Sequence, residues 1–188
     1  MRELKDFSVL ILPGLGGAGE DHWQTHWERA FPEFVRVQQA DWENAAYEDW
    51  APRLTEAVMK APRPVVLVAH SLGTSLTMKW SFDQPAAAGK VAGAFLVAPS
   101  DRDRFRVQNR PEPRGFGQMI LKRLPFPSMV IASGNDDRVS LERARVFADA
   151  WGSTLIHAGN FGHLGSAAKL ELWPAGLVWF GQFLASLP

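Results

Sequence analysis

Val65-Val66-Leu67-Val68-Ala69-His70-Ser71-Leu72-Gly73-Thr74-Ser75-Leu76 is an apolar run, one serine at an abrupt turn, and then a run that suits a helix. This is the pattern of a nucleophile elbow. A serine there sits on a strained strand-to-helix turn, its hydroxyl projecting from the carboxyl edge of a sheet toward the positive end of the next helix. The positions two before and two after such a serine must be small, since side chains there collide across the turn. They are Ala69 and Gly73. The common pattern has glycine at both, so Ala69 is a departure. Helix capping by Ser71 is the competing, purely structural use of the same residue.

On either side of the elbow, short apolar runs alternate with segments of helical spacing. Phe7 to Leu12, ended by Pro13-Gly14, reads as a strand buried on both faces of a parallel sheet, and Val35 to Ala40 alternates like a strand near the sheet edge. Tyr47, Trp50, Leu54, Ala57, Val58 and Ala61 recur as on an amphipathic helix that stops before Pro62 and Pro64. Ser71 to about Asp83 continues as the helix behind the serine. Ala92 to Ala98 and Ser128 to Ser133 read as buried strands, Leu141 to Trp151 as a helix, and Ser153 to His157 as a last short strand. Leu170 through Leu184 carries Trp173, Leu177, Phe180 and Leu184 at helical spacing and is expected to pack over the sheet. The alternation predicts a doubly wound α/β sandwich of about six mostly parallel strands with helices on both faces. Residues 100–127 break the rhythm. Arg102, Arg104, Arg106, Arg110, Arg114, Lys122 and Arg123 are interspersed there with Pro111, Pro113, Gly115 and Gly117, the texture of a lid, a binding loop or a solvated surface loop.

The 188 residues suit one domain able to bury a full core without staples. Twenty basic and twenty acidic residues balance, which gives no global pull toward nucleic acid or an anionic membrane. The absence of cysteine excludes disulfides, thiolate-bound metal and a cysteine nucleophile, and accords with a reducing compartment. The charged start, Met1 to Asp6, leads straight into a strand, and no apolar stretch approaches the ~20 residues of a membrane helix. A soluble cytoplasmic protein is expected.

A serine hydroxyl is a poor nucleophile at neutral pH unless a base lies beside it and an acid orients that base. Both residue types follow later strands. Asp136 and Asp137 come just after the run ending near Ser133, and His163 follows the run ending near His157. In a parallel sheet these loops emerge at the same carboxyl edge as Ser71, where ligands bind in open α/β folds. The order Ser, Asp, His is that of the α/β-hydrolases. Among five histidines, His163 has the best claim as base. His70 adjoins the serine and should point away from it, His157 belongs to a strand, and His22 and His26 sit on the early loop or helix. Asp136 and Asp137 are not separated by this reasoning. The loop Pro13-Gly14-Leu15-Gly16-Gly17-Ala18-Gly19 can bring backbone N–H groups close to an oxygen, either a phosphate or an oxyanion. It lacks the Gly-Lys-Ser/Thr ending of a phosphate-binding loop. Its G-x-G-x-x-G match is not followed by a tidy βαβ unit with an acidic strand end, Asp41 being the nearest candidate. No cofactor is therefore expected. His22 and His26 share the i, i+4 spacing of a zinc pair, but Trp23 stands where a metalloprotease has Glu, and hydrogen bonding at a helix end is the better reading.

Asp21-His22-Trp23-Gln24 after the Pro-Gly-x-Gly-Gly loop, Ala69-His70-Ser71-Leu72-Gly73, Ser133-Gly134-Asn135-Asp136 with Arg138-Val139, and Gly159-x-x-Gly162-His163 resemble the small serine hydrolases of the retinoblastoma-binding protein 9 family. The likeness runs from about Leu10 to Trp173. It implies a compact α/β-hydrolase with Ser71 as nucleophile, Asp136 as acid and His163 as base. That family usually has proline after the acid, where this chain has Asp137. The protein-binding role in the family's name does not transfer to this chain. The expected activity is carboxylesterase-like: cleavage of a small ester, thioester or amide through an acyl-enzyme on Ser71, with the N–H groups of Leu72 and Leu15 as oxyanion donors and no metal. The competing expectation is a non-catalytic module that holds a protein partner through exposed tryptophans or the basic 102–123 segment.

Overall fold

Runs such as Ser8–Leu12 and Val65–His70 are too short and too apolar to stand alone, and they form a sheet buried on both faces. The computed structural model describes residues 2–104 and 112–188. In chain order it contains β1 (Ser8–Leu12), α1 (Trp23–Ala30), β2 (Phe34–Arg36), α2 (Tyr47–Lys60), β3 (Val65–His70), α3 (Leu72–Asp83), α4 (Pro85–Ala88) and β4 (Val91–Val97). β5 (Ser128–Ala132), α5 (Leu141–Trp151), β6 (Thr154–His157) and α6 (Pro174–Ser186) follow. The six strands form one sheet in the order β2-β1-β3-β4-β5-β6, every pairing parallel. This is the α/β architecture expected from the alternation of elements.

Successive side chains of a strand point to opposite faces, and the core is divided accordingly. Leu10, Leu12, Leu67, Ala69, Leu96 and Val130 pack under α2, α3 and α5 through Leu54, Val58, Leu76, Trp80, Phe147 and Trp151. Val9, Ile11, Val66, Val68, Phe95, Val97 and Ile131 pack under α1 and α6 through Trp23, Trp27, Phe180 and Phe183. The eight residues of α1 are too few to hold a helix in water by themselves. Burying Trp23 and Trp27 completely, each worth on the order of 4 kcal/mol in transfer free energy, holds it on the sheet. Gly93 lets α6 come close to β4, since a Cβ there would lie 2.8 Å from both Leu187 Cδ2 and Phe183 Cζ.

Two expected elements differ. The strand expected over 35–40 is Phe34–Arg36, because only these residues run alongside Val9 to Ile11 before the chain turns off the sheet edge. The last helix begins at Pro174 rather than Leu170. Lys169, Glu171 and Trp173 have φ of 47°, 52° and 45°, a left-handed backbone that cannot continue a helix, and Pro174 then starts one without needing its own N–H.

Of the irregular segment 100–127, Arg106, Arg110 and Pro111 lie outside the described residues. The remainder is tied down. Arg114 N–H donates to the Ala45 carbonyl and Tyr47 N–H to the Arg114 carbonyl, both at 2.9 Å. Phe116, Met119, Leu124 and Phe126 are buried with the α2, α3 and α5 core. Among the described residues no helix is long and apolar enough to cross a membrane.

The strand order reverses direction between β1 and β3, so the loops after these neighbours diverge to opposite faces and open a crevice. Gly14 and Ser71 stand at its two sides. The fully buried Gln24 spans it, its amide donating to the carbonyls of Val68 at 3.1 Å and Leu12 at 3.4 Å.

Candidate active site

Ser71 stands between β3 and α3 with φ 53° and ψ −119°, a conformation unfavourable for any side chain larger than hydrogen. Its surroundings explain the small neighbours. A Cβ on Gly73 would collide with the Leu12 carbonyl oxygen, and one on Gly14 would come within 2.8 Å of Ser71 Cβ. The β1 loop is thus pressed against the turn, with room for no side chain at either glycine.

Ser71 Oγ lies 2.8 Å from His163 Nε2, and His163 Nδ1 lies 2.8 and 3.0 Å from the two carboxylate oxygens of Asp136. The Asp136 side chain is fully buried and also accepts the Arg138 N–H at 2.8 Å. Asp137 points outward with 79% of its side chain exposed, near Arg138. The two acidic residues, equivalent by sequence position, therefore occupy different environments, and only Asp136 meets His163. A carboxylate only accepts hydrogen bonds, so Nδ1 carries the imidazole hydrogen and Nε2 presents its lone pair to the serine hydroxyl.

The two leucines expected to supply oxyanion donors line one small cavity with Ser71. Leu72 is the first residue of α3, and its N–H belongs to the amides that a helix start leaves without an intrahelical acceptor. In the glycine loop, Gly16 N–H is committed to the Trp42 carbonyl at 2.8 Å and Gly17 N–H to the Gly14 carbonyl at 3.0 Å, while Leu15 reaches the cavity containing Ser71 and Leu72. On the His163 side a cleft of about 620 Å³ opens, lined by Gly14, Ser71, Arg138, Phe161, His163 and the small residues of the Gly165–Ala168 turn. Its size is that of a small-molecule site.

The serine hydrolase family model matches residues 9–182. The chain belongs to the serine hydrolase family. A protein of Pectobacterium atrosepticum described as a YdeN-like hydrolase is 30% identical to it, with 98% of this chain and 94% of that chain aligned at a TM-score of 0.84. The ydeN gene product of Bacillus subtilis superposes with a TM-score of 0.73 over 95% of this chain and 98% of its own, at 17% identity. The type II thioesterase BorB of the borrelidin biosynthetic cluster does so with 0.69 over 98% and 93%, at 16% identity, which speaks to the fold. A search among curated proteins gives no match.

Motifs that had no chemical role by spacing alone act in this hydrolase as fasteners of the His163 loop. His70 turns away from the serine, as expected, and its Nε2 is 2.9 Å from the His163 carbonyl oxygen, to which it donates. Trp23 Nε1 donates to the Leu164 carbonyl at 2.9 Å. Ser133 Oγ accepts Phe161 N–H at 2.8 Å, and Asn135 Oδ1 accepts Gly162 N–H at 2.7 Å. Four consecutive residues, 161–164, are thus each held through the backbone. On this held backbone the His163 ring meets Asp136 through Nδ1 and Ser71 through Nε2.

His22 caps α1, its Nδ1 accepting the Gln24 N–H at 3.2 Å, the helix-end hydrogen bond expected of it. Burial, then the charges of Arg36 and His163, lower its pKa from 6.5 to about 3. Burial, followed by the charges of His22 and His163, holds His70 well below the ordinary imidazole range. Both rings beside the cleft are therefore uncharged near neutrality. Among the described residues no cluster of three acidic or imidazole groups is arranged to hold a metal.

One contact escaped sequence reasoning. Ser100 Oγ lies 3.1 Å from Ser71 Oγ, on the hydroxyl that also meets His163. The available signal was its place, three residues beyond a buried strand that ends at the same sheet edge.

Proposed function

We propose that the chain hydrolyses a small ester, thioester or amide through an acyl-enzyme on Ser71, in a carboxylesterase-like reaction, and that within the serine hydrolases it stands with the retinoblastoma-binding protein 9-like group. The observation that carries this reading is the unbroken line from Ser71 Oγ through the His163 ring to Asp136, each step 2.8 Å at its shortest. His163 Nε2 takes the hydroxyl proton as Oγ attacks the carbonyl carbon. Asp136 holds the imidazole and stabilises its protonated form. The N–H groups of Leu15 and Leu72 receive the developing oxyanion, at about 2.7–4 kcal/mol per donor in a known case. Collapse of the intermediate breaks the bond to the leaving group, which departs with the proton from His163. Water activated by the same imidazole then releases the acyl group as an acid and restores the Ser71 hydroxyl.

The narrower kinship is supported by the Asp-His-Trp-Gln and Ser-Gly-Asn-Asp blocks, whose side chains fasten the loop that carries the base. The test is covalent labelling with a fluorophosphonate. The unmodified chain is expected to be labelled, and Ser71→Ala to fold normally and remain unlabelled. Labelling that survives in Ser71→Ala removes Ser71 from the mechanism. Capture of a protein partner by both forms alike, without ester turnover in either, favours the non-catalytic module.

A further inference from the structure

Ser100 is absent from the line Ser71-His163-Asp136, yet its hydroxyl oxygen is 3.1 Å from the nucleophile. The direction of that hydrogen bond follows from the rest of the site. Ser71 has one hydroxyl hydrogen, and His163 Nε2, at 2.8 Å with its lone pair free, receives it. The Ser100 hydroxyl must then be the donor and the Ser71 oxygen the acceptor.

The mount of Ser100 is rigid. Ala98, at the exit of β4, has φ 47°, a strained conformation for a residue with a side chain, while its N–H still donates to the Ile131 carbonyl at 2.8 Å. Just beyond Ser100, the Asp101 N–H donates to the Arg138 carbonyl at 3.0 Å. The buried Asp101 carboxylate receives Arg143 Nε at 2.8 Å from α5. A strained exit and a buried ion pair therefore bracket one short hydroxyl side chain. Ser100 also faces the same small cavity as Leu15 and Leu72, on the side of Ser71 expected to receive the oxyanion.

Resting on the hydrolase reading of this site, we infer that Ser100 is a third, side-chain donor to the oxyanion. In the free enzyme its hydroxyl donates to Ser71 Oγ. When Oγ bonds to the carbonyl carbon and its proton passes to His163, that oxygen becomes an ether-type oxygen and a poor acceptor. The carbonyl oxygen, attached to the same carbon, has meanwhile gained the full negative charge. Rotation about the Cβ–Oγ bond re-aims the Ser100 hydrogen from the first oxygen to the second. The new hydrogen bond is to an anion and forms only in the tetrahedral intermediate and the transition states flanking it, so it accelerates the reaction without tightening substrate binding.

The experiment compares the unmodified enzyme, Ser100→Ala and Ser100→Thr, each checked for native circular dichroism. Measured are kcat and KM on p-nitrophenyl acetate and inhibition by a trifluoromethyl ketone, whose adduct with Ser71 carries the oxyanion. Ser100→Ala is expected to lose on the order of 100-fold in kcat with KM within about threefold. Its inhibition constant for the ketone is expected to rise in parallel, and Ser100→Thr, which keeps the hydroxyl, to recover most of both. A kcat for Ser100→Ala within threefold of the unmodified enzyme overturns the inference. So does a kcat loss with unaltered ketone affinity, which would mean that Ser100 only holds the Ser71 rotamer, or a folded Ser100→Thr as impaired as the alanine variant. If the unmodified enzyme is neither inhibited by the ketone nor labelled by a fluorophosphonate, the hydrolase reading fails and takes this inference with it. Normal labelling with activity indifferent to Ser100 overturns the donor role alone.

Discussion

His22→Asn is expected to flatten the acid limb of this protein's stability. His22 is 4% exposed and its Nδ1 must stay unprotonated to accept the Gln24 N–H, so protonation both charges a buried ring and turns its acceptor into a donor. The folded chain binds this proton only near pH 3, whereas an unperturbed histidine binds it near 6.5. Between these values the unfolded state holds more protons, so stability rises with pH across the window, is fully present above about 6.5 and is lost toward about 3. At about 1.36 kcal/mol per pH unit, the separation amounts to on the order of 5 kcal/mol, of which roughly 2–3 kcal/mol disappears between pH 6.5 and 4.5. Asparagine keeps a capping oxygen and has no titrating group. At neutral pH the variant is expected to be less stable by about 1–2 kcal/mol, since it loses the ring contacts to Trp23 and His70 at 5.5 and 4.7 Å. That deficit should vanish or invert by pH 4.5. The assay is urea unfolding followed by tryptophan fluorescence, eight indoles being available, at half-unit pH steps for both proteins. Carboxylate titrations are common to the two and cancel in the difference. A stability difference constant to within about 0.5 kcal/mol from pH 6.5 to 4.5 would refute the reasoning, since no proton would then be linked to His22 in this range.

The two acidic residues after β5 should behave oppositely. Asp136→Asn is expected to lower kcat by about 10⁴-fold by upsetting the His163 tautomer, and Asp137→Asn to stay within about twofold; ester kinetics with the reverse result would reassign the acid. Trp23→Phe strands the carbonyl of the fully buried Leu164 and should cost about 2–3 kcal/mol, a Tm fall of roughly 5–10 °C by calorimetry, with kcat falling more than KM changes. An unchanged Tm would mean that this indole fastens nothing.

Strand-and-helix alternation was legible because burial imposes a period on the chain. Ser8 to Leu12 and Val65 to His70 are continuous apolar runs only because both faces of the sheet are covered, and that requirement is written locally. The boundaries that differ from the apolar pattern, at Val35 to Ala40 and at Leu170, are those set by tertiary neighbours and by the backbone. β2 ends where β1 stops offering hydrogen bonds, and α6 starts only after three left-handed residues that the apolar spacing does not reveal.

The sequence by itself determined the parallel α/β sheet, the elbow at Ser71 and the fact that Asp136, Asp137 and His163 all follow strands at one edge. Each of these depends on the order of residues along the chain. Only the tertiary structure set Asp136 against His163 and Asp137 toward solvent, turned His70 and Trp23 onto the His163 loop, and brought Ser100 to Ser71. Hydrogen bonds are selective over tenths of an ångström, and the one from Trp23 to Leu164 joins residues 141 positions apart. No periodicity along the chain encodes such a distance, since it arises from how the two faces of the sheet pack.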